Sequence, residues 1–240
     1  MACILHIETS SKVCSLSVSE NGAMVFIRES NEQMSHSVSL GLFAEEALTF
    51  LKKGGKMPDA VTISKGPGSY TGLRIGVSFA KGLCYGLGIP LISIPTLQIL
   101  AKRAVCELQE QGVTLNTIDC LVPMLDARRM EVYTAVYSPS LTEICSAKAM
   151  VIDECSFLEL LTDRRVLFFG EGSDKCRKVI CSPNAEFIEN INPSASVMVS
   201  LAEGQFANND FVDVAYFEPF YLKEFQATIP RKQRDLFSEE

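Results

Sequence analysis

The chain has 240 residues, 47% of them hydrophobic, with 22 Lys and Arg against 29 Asp and Glu for a net charge of −7. That length buries enough apolar surface for one large or two small domains without covalent staples, and the acidic balance excludes nucleic-acid binding that relies on this chain alone neutralising phosphates. No apolar run approaches the roughly 20 residues of a membrane span, and the N-terminus has no basic segment ahead of an apolar one, so a cytoplasmic protein is expected.

Cys3 to Glu8 and Lys12 to Ser19 alternate at the period of a strand, and Asn21-Gly22 is a strong hairpin signal leading into Ala23 to Glu29. Three antiparallel strands are therefore predicted to open the chain. The turn Glu8-Thr9-Ser10-Ser11 offers hydroxyls and amides to a phosphate, or is an ordinary polar hairpin. Ser35 is the predicted cap of a helix from His36 to Lys52, in which Leu40, Phe43, Ala44, Ala47, Leu48, Phe50 and Leu51 share a core-facing arc. Val38 and Leu42 fall outside that arc, among Glu45, Glu46 and Thr49. They give the helix a second apolar spot that its own sheet cannot cover.

Strand Ala60 to Ser64 then runs into Gly66-Pro67-Gly68-Ser69-Tyr70-Thr71-Gly72, a strand-to-helix turn. Its glycines permit positive φ or close approach, and the helix behind it starts with partial positive charge, so a phosphate is the functional reading. The plain alternative is a tight turn with no ligand, since neither G-x-x-x-x-G-K-[ST] nor G-x-G-x-x-G is present. In the helix that follows, Gly72, Gly76, Ala80, Cys84 and Gly88 recur every four residues. Gly76, Gly82 and Gly86 together sacrifice about 3 kcal/mol of helix propensity relative to alanine. Close approach of another backbone would offset that, either the chain's own sheet or a second chain. With Val38 and Leu42, the residues Gly72, Leu73, Gly76, Ala80 and Leu83 form the expected partner interface.

Strand Pro90 to Ile94 and a helix from a Thr96 cap to Gln111 complete the order βββαβαβα. The same order then restarts. Cys120 to Leu125, Glu131 to Tyr137 and Lys148 to Ile152 read as strands, and Asp153 to Leu161 as a helix. Val166 to Phe169, a turn at Gly170-Glu171-Gly172-Ser173, a short helix to Ile180, strand Glu186 to Ile188 and a helix from Ser194 to Asn208 follow. The repetition predicts two related α/β domains, residues 1–111 and 112–225, facing each other across a cleft, with a non-periodic and mobile tail at 226–240. Thr9, Ser10, Gly66, Gly68, Gly170 and Gly172 are the expected remnants of a phosphate site in that cleft.

Catalytic residues are expected to be none. His6 and His36 are the only histidines, too far apart for a pair at helical spacing, so no metal site is assigned. His36 has no evident Cys or Ser nucleophile and acidic orienter beside it, and reads as structural or interfacial. Asp126, followed closely by Arg128 and Arg129, suits an ion pair with them. The nine cysteines are scattered without C-x-x-C and read as buried small hydrophobes.

Two tandem βββαβαβα units resemble the actin, hexokinase and Hsp70-like ATPase (ASKHA, RNase H-like) fold, a resemblance that implies a metal-water carboxylate as the alternative role of Asp126. Within it, Ile7-Glu8-Thr9-Ser10, Ser35-His36-Ser37, the stretch from Gly66 to Gly76, and Asp126-Ala127-Arg128-Arg129-Met130-Glu131-Val132-Tyr133 resemble the bacterial TsaB (YeaZ) family, with a looser likeness at Gly170-Glu171-Gly172 and Pro219-Phe220-Tyr221-Leu222. The resemblance implies a non-catalytic paralogue of TsaD that binds and activates it for threonylcarbamoyl transfer to the N6 of adenosine 37, in tRNAs reading codons that begin with A. It also implies TsaE as a further partner, a homodimer in isolation, tRNA contact only through the complex, and no tightly bound cofactor, ATP and metal belonging to the partners. In TsaD a His-x-x-x-His follows the strand corresponding to Leu91 to Ile94, where this chain has Pro95-Thr96-Leu97-Gln98-Ile99. The rivals are a metallo- or glycoprotease-like hydrolase and a small-molecule kinase of the same fold.

Overall fold

The computed structural model describes residues 2–31, 35–113 and 115–223. The first half holds β1 (Cys3–Glu8), β2 (Cys14–Glu20), β3 (Ala23–Ser30), α1 (His36–Lys53), β4 (Ala60–Ser64), α2 (Tyr70–Leu87), β5 (Leu91–Ile94) and α3 (Thr96–Glu110). The second holds β6 (Cys120–Asp126), β7 (Glu131–Tyr137), β8 (Glu143–Val151), α4 (Leu158–Leu161), β9 (Val166–Phe169), α5 (Ser173–Cys176), β10 (Ala185–Ile188), a 3-10 turn (Ala195–Val197) and α6 (Val199–Ala207). Each half builds a five-stranded sheet, ordered β3-β2-β1-β4-β5 and β8-β7-β6-β9-β10. The first three strands of each pair antiparallel, and the remaining two join parallel to the first. The duplicated topology is that of the ASKHA fold.

Burial decides where the helices lie. Leu5, Ile7, Leu16 and Val18 point to one face of the first sheet, where they meet Leu40, Ala44, Ala47 and Leu51 of α1 and Val77, Ala80 and Cys84 of α2. The opposite face is covered from the other half of the chain, with Ile4, Ala60, Ile92 and Ile94 packing on Ala195, Val197, Met198 and Ala202. In return, Leu97, Leu100, Ala104 and Leu108 of α3 pack on Leu121, Leu125, Tyr137, Leu167 and Phe169 of the second sheet. The last helix of each half thus covers the sheet of the other.

Several expected elements are shorter or shifted. The helix expected over Asp153 to Leu161 is only Leu158–Leu161, because Asp153 Oδ1 accepts from Cys155 N and Ser156 Oγ and folds the preceding residues into a turn. The strand expected at Lys148 begins at Glu143. The helix expected over Ser194 to Asn208 starts as a separate 3-10 turn, with Ser194 Oγ accepting from Ser196 N at 3.2 Å. The short helix expected to reach Ile180 is Ser173–Cys176. Ser35 takes the N-cap position of α1 without a side-chain cap, and Thr96 is inside α3 behind Pro95. Phe50, expected in the core, is 43% exposed and tilts against Phe26. The expected tail at 226–240 lies outside the described residues.

Candidate functional site

A cleft of about 710 Å³ separates the two lobes. Its first-lobe wall is the β1–β2 turn (Ser10, Ser11, Lys12) and the glycine turn (Pro67 to Thr71), with His36 between them. Its second-lobe wall is Leu125 to Arg128, Tyr133 and Glu171, and Phe220 to Lys223 form the mouth. Of the residues expected at a phosphate site, Ser10 and Gly68 line this cleft, whereas Thr9, Gly66, Gly170 and Gly172 do not.

The glycines serve the protein's own backbone. At Gly68 a Cβ would lie 2.5 Å from the carbonyl oxygen of Ser10, at Gly66 2.5 Å from that of Phe220, and at Gly172 2.9 Å from the carbonyl carbon of Leu125. Gly170, at φ +98, lies equally close to Met124 O. Ser69 N donates to Ser10 O at 2.7 Å, Ser69 Oγ caps α2 by accepting from Gly72 N, and Thr9 Oγ1 donates to Gly72 O at 2.9 Å. The two turns are riveted to one another, which fixes the cleft floor.

Beneath them lies a buried polar seam. Glu8 is fully buried at the end of β1; Ser10 N donates to its Oε1 at 2.5 Å, and the Ser10 and Ser64 hydroxyls lie beside it. Burial pushes its carboxyl above the ordinary carboxylate range, these hydrogen bonds opposing. His6 is also fully buried, with Nε2 within 2.9 Å of Ser19 Oγ; burial pulls it down to about 3, so the ring is neutral. His36 Nε2 donates to Ser11 O at 2.8 Å and so orients the first turn. Across the cleft, Asp126 is ion-paired with Lys175 and accepts from the backbone N–H of Arg128, so its ionic partner is this lysine and not the arginines expected from sequence. Burial raises the Cys3, Cys14 and Cys84 thiols to about 11, which keeps them protonated and inert.

The donors present do not fit a metal held by a histidine pair. His6 and His36 are engaged in different places, and Thr96, after β5, uses its hydroxyl to accept from Gly66 N at 3.1 Å. Among the described residues no three His, Cys, Asp or Glu side chains gather as metal ligands.

The expected interface needs correction. Leu73 is 1% exposed and Ala80 0%, both facing the chain's own interior. A Cβ at Gly72 would collide with Thr9 O, and one at Gly76 with Thr9 Oγ1. These four positions explain α2 sitting close on the first sheet and are closed to a second chain. Leu83 is half-buried against the same core, while Val38 and Leu42 are each 49% exposed. The mouth residues Phe220 to Lys223 also belong to the cleft and were not among the expected site residues, although Pro219-Phe220-Tyr221-Leu222 carries the family likeness.

The profile described as TsaD, tRNA N6-adenosine threonylcarbamoyltransferase, matches residues 30–231. This chain belongs to the TsaD family. Relatives named tRNA threonylcarbamoyladenosine biosynthesis protein TsaB occur in Haemophilus influenzae, 32% identical over 54% of this chain and 51% of the relative, and in Bacillus subtilis, 28% identical over 74% of each. The chain therefore spans about half the length of the Haemophilus protein. YeaZ from Pseudomonas aeruginosa superposes with a TM-score of 0.75 at 25% identity, over 92% of this chain and 100% of that one. Within the TsaD family the likeness is thus to TsaB (YeaZ). No helix among the described residues is long and apolar enough to cross a membrane.

Proposed function

We propose that this chain works in threonylcarbamoyladenosine synthesis as a non-catalytic cytoplasmic subunit that binds TsaD and activates it for threonylcarbamoyl transfer to the N6 of adenosine 37, in tRNAs reading codons that begin with A. The observation that carries the reading is the outer surface of α1 and α2, which lie on one face of the first sheet. Val38 and Leu42 are exposed on α1, and Gly82 in the interior of α2 and Gly86 in its last turn have nothing within 4 Å of where a Cβ would be. An interior glycine such as Gly82 costs about 1 kcal/mol relative to alanine, and packing inside the chain gives no return for it. Close approach of a partner's helix does. The engaged histidines and the Thr96 hydroxyl support leaving the metal and ATP to partners, with TsaE acting on the assembled pair. The net charge of −7 supports tRNA contact through the complex. The same apolar surface supports a homodimer when TsaD is absent.

The test is co-purification with TsaD. Leu42→Asp combined with Gly82→Arg changes only exposed positions, and is expected to abolish co-elution and self-association while leaving the far-ultraviolet circular dichroism of the isolated chain in place. Undiminished co-elution would remove the interface from these helices. Threonylcarbamoylated tRNA formed by this chain with no TsaD present would end the non-catalytic reading.

A further inference from the structure

After α6 the chain returns over the first lobe as a strap, residues 212–223, in two differently held parts. The first part is anchored: Val212 N donates to Leu91 O, Val212, Val214 and Phe217 pack on the first core, and Lys81 Nζ donates to the carbonyls of Ala215 and Phe217 at 3.0 Å each. The second part is lightly held. Phe220 N donates to Lys65 O at 2.6 Å, and the Tyr221 ring lies tilted against Tyr70 with centroids 5.1 Å apart. The Arg74 guanidinium lies 4.3 Å over Tyr70, and its Nε donates to Tyr221 OH at 3.3 Å. Lys223 then crosses the cleft to pair with Glu131 on β7 of the other lobe. Phe220 and Tyr221 remain 42% and 36% exposed.

The glycine turn is shaped to receive this second part. Gly66 has φ +109, a conformation L side chains rarely adopt, and any Cβ there would press on the carbonyl of Phe220. So Gly66, which reads in sequence as a phosphate-loop glycine, makes room for the chain's own strap.

We infer that residues 218–223 are a clasp on the interlobe cleft: seated on the glycine turn, fastened across the cleft by Lys223 and Glu131, and able to lift about the anchored Phe217. The anchor and the fastener differ in kind. Phe217 and Val214 are held by the core, whereas the Lys223 and Glu131 side chains are 45% and 19% exposed and the pair is screened by salt. Lifting uncovers the Tyr70 ring and the Glu131 carboxylate, frees the Arg74 guanidinium from Tyr221, and widens the mouth from which any ligand of the cleft enters.

The experiment uses the full chain, with hydrogen exchange followed in peptides covering residues 65–74 and 217–223. Lys223→Glu is expected to raise exchange in both about three- to tenfold with the thermal midpoint unchanged, and Lys223→Glu with Glu131→Lys to return it to within twofold of the parent. Tyr221→Ala, which removes the ring contact and leaves the ion pair, is expected to raise exchange without being rescued by Glu131→Lys. Parent-like exchange in either single variant, or no recovery in the charge-swapped pair, would overturn the clasp. None of these readouts depends on TsaD, so failure here is distinct from failure of the proposed function.

Discussion

At the scale of single residues, glycines of α2 that look alike in sequence divide into two chemical classes. Gly76 has Thr9 Oγ1 and, at 3.0 Å, Ile63 Cδ1 where its Cβ would be; Gly82 has open space. Gly76→Ala is therefore expected to destabilise by about 1–3 kcal/mol through overpacking, and Gly82→Ala to stabilise by about 0.5–1 kcal/mol through helix propensity, both read from urea unfolding midpoints. Equal effects of the two would contradict the packing described. The buried pair of titrating groups gives opposite pH slopes. His6 titrates at 6.5 when free and at about 3 when folded, so its contribution is complete above pH 6.5 and is lost on acidification toward pH 3, at up to about 1.4 kcal/mol per pH unit. Glu8 is raised from 4.5, so its contribution is complete below pH 4.5 and is lost as pH rises through the folded value. Glu8→Gln is expected to leave the His6 slope unopposed, giving a steeper rise of stability between pH 4.5 and 6.5. A profile superimposable on the parent's would remove Glu8 from that balance.

At the scale of elements, strands, hairpins and the first helices were legible because local pattern and tertiary environment agree. In β2, the alternation Cys14-Ser15-Leu16-Ser17-Val18-Ser19 places every second residue toward α1, as a period of two dictates. What the pattern could not tell is that the serine face is buried as well. Ser17 Oγ donates to Ala195 O at 2.8 Å and Ala195 N donates to Ser15 Oγ at 2.9 Å, 178 and 180 residues away in sequence. A polar face that reads as solvent is the seat of the 3-10 turn Ala195–Val197. The small-residue ridge of α2 was legible as a close contact but not as to whose, because spacing carries no information about which backbone approaches. The α4 region failed for a local reason, an Asp153 side chain that outcompetes the helix for its own backbone. Ser15→Ala is expected to cost about 1–3 kcal/mol, the penalty for leaving the buried Ala195 N–H without an acceptor. A chemical denaturation curve unchanged from the parent's would place water or another acceptor there.

At the scale of the whole molecule, the duplicated order suggests two units that fold independently, and the packing argues otherwise. The α3 helix ends the first half in sequence but spends Leu97, Leu100 and Leu108 on the second sheet, while Ala195 to Ala202 of the second half cover Ile4, Ile92 and Ile94 of the first. Burying three leucines contributes about 4.5–9 kcal/mol, comparable with the roughly 5–15 kcal/mol net stability of a whole domain. Neither half can forgo such a contribution and keep a cooperative fold. Residues 1–111 and 112–240 expressed separately are therefore expected to show no cooperative thermal transition and to aggregate through their uncovered sheet faces. Mixed during refolding, they are expected to assemble into a complex that melts in one transition, because the lost contacts lie between the halves and not within either. A sharp transition in either fragment alone would mean that the reciprocal helices are peripheral to the cores they cover.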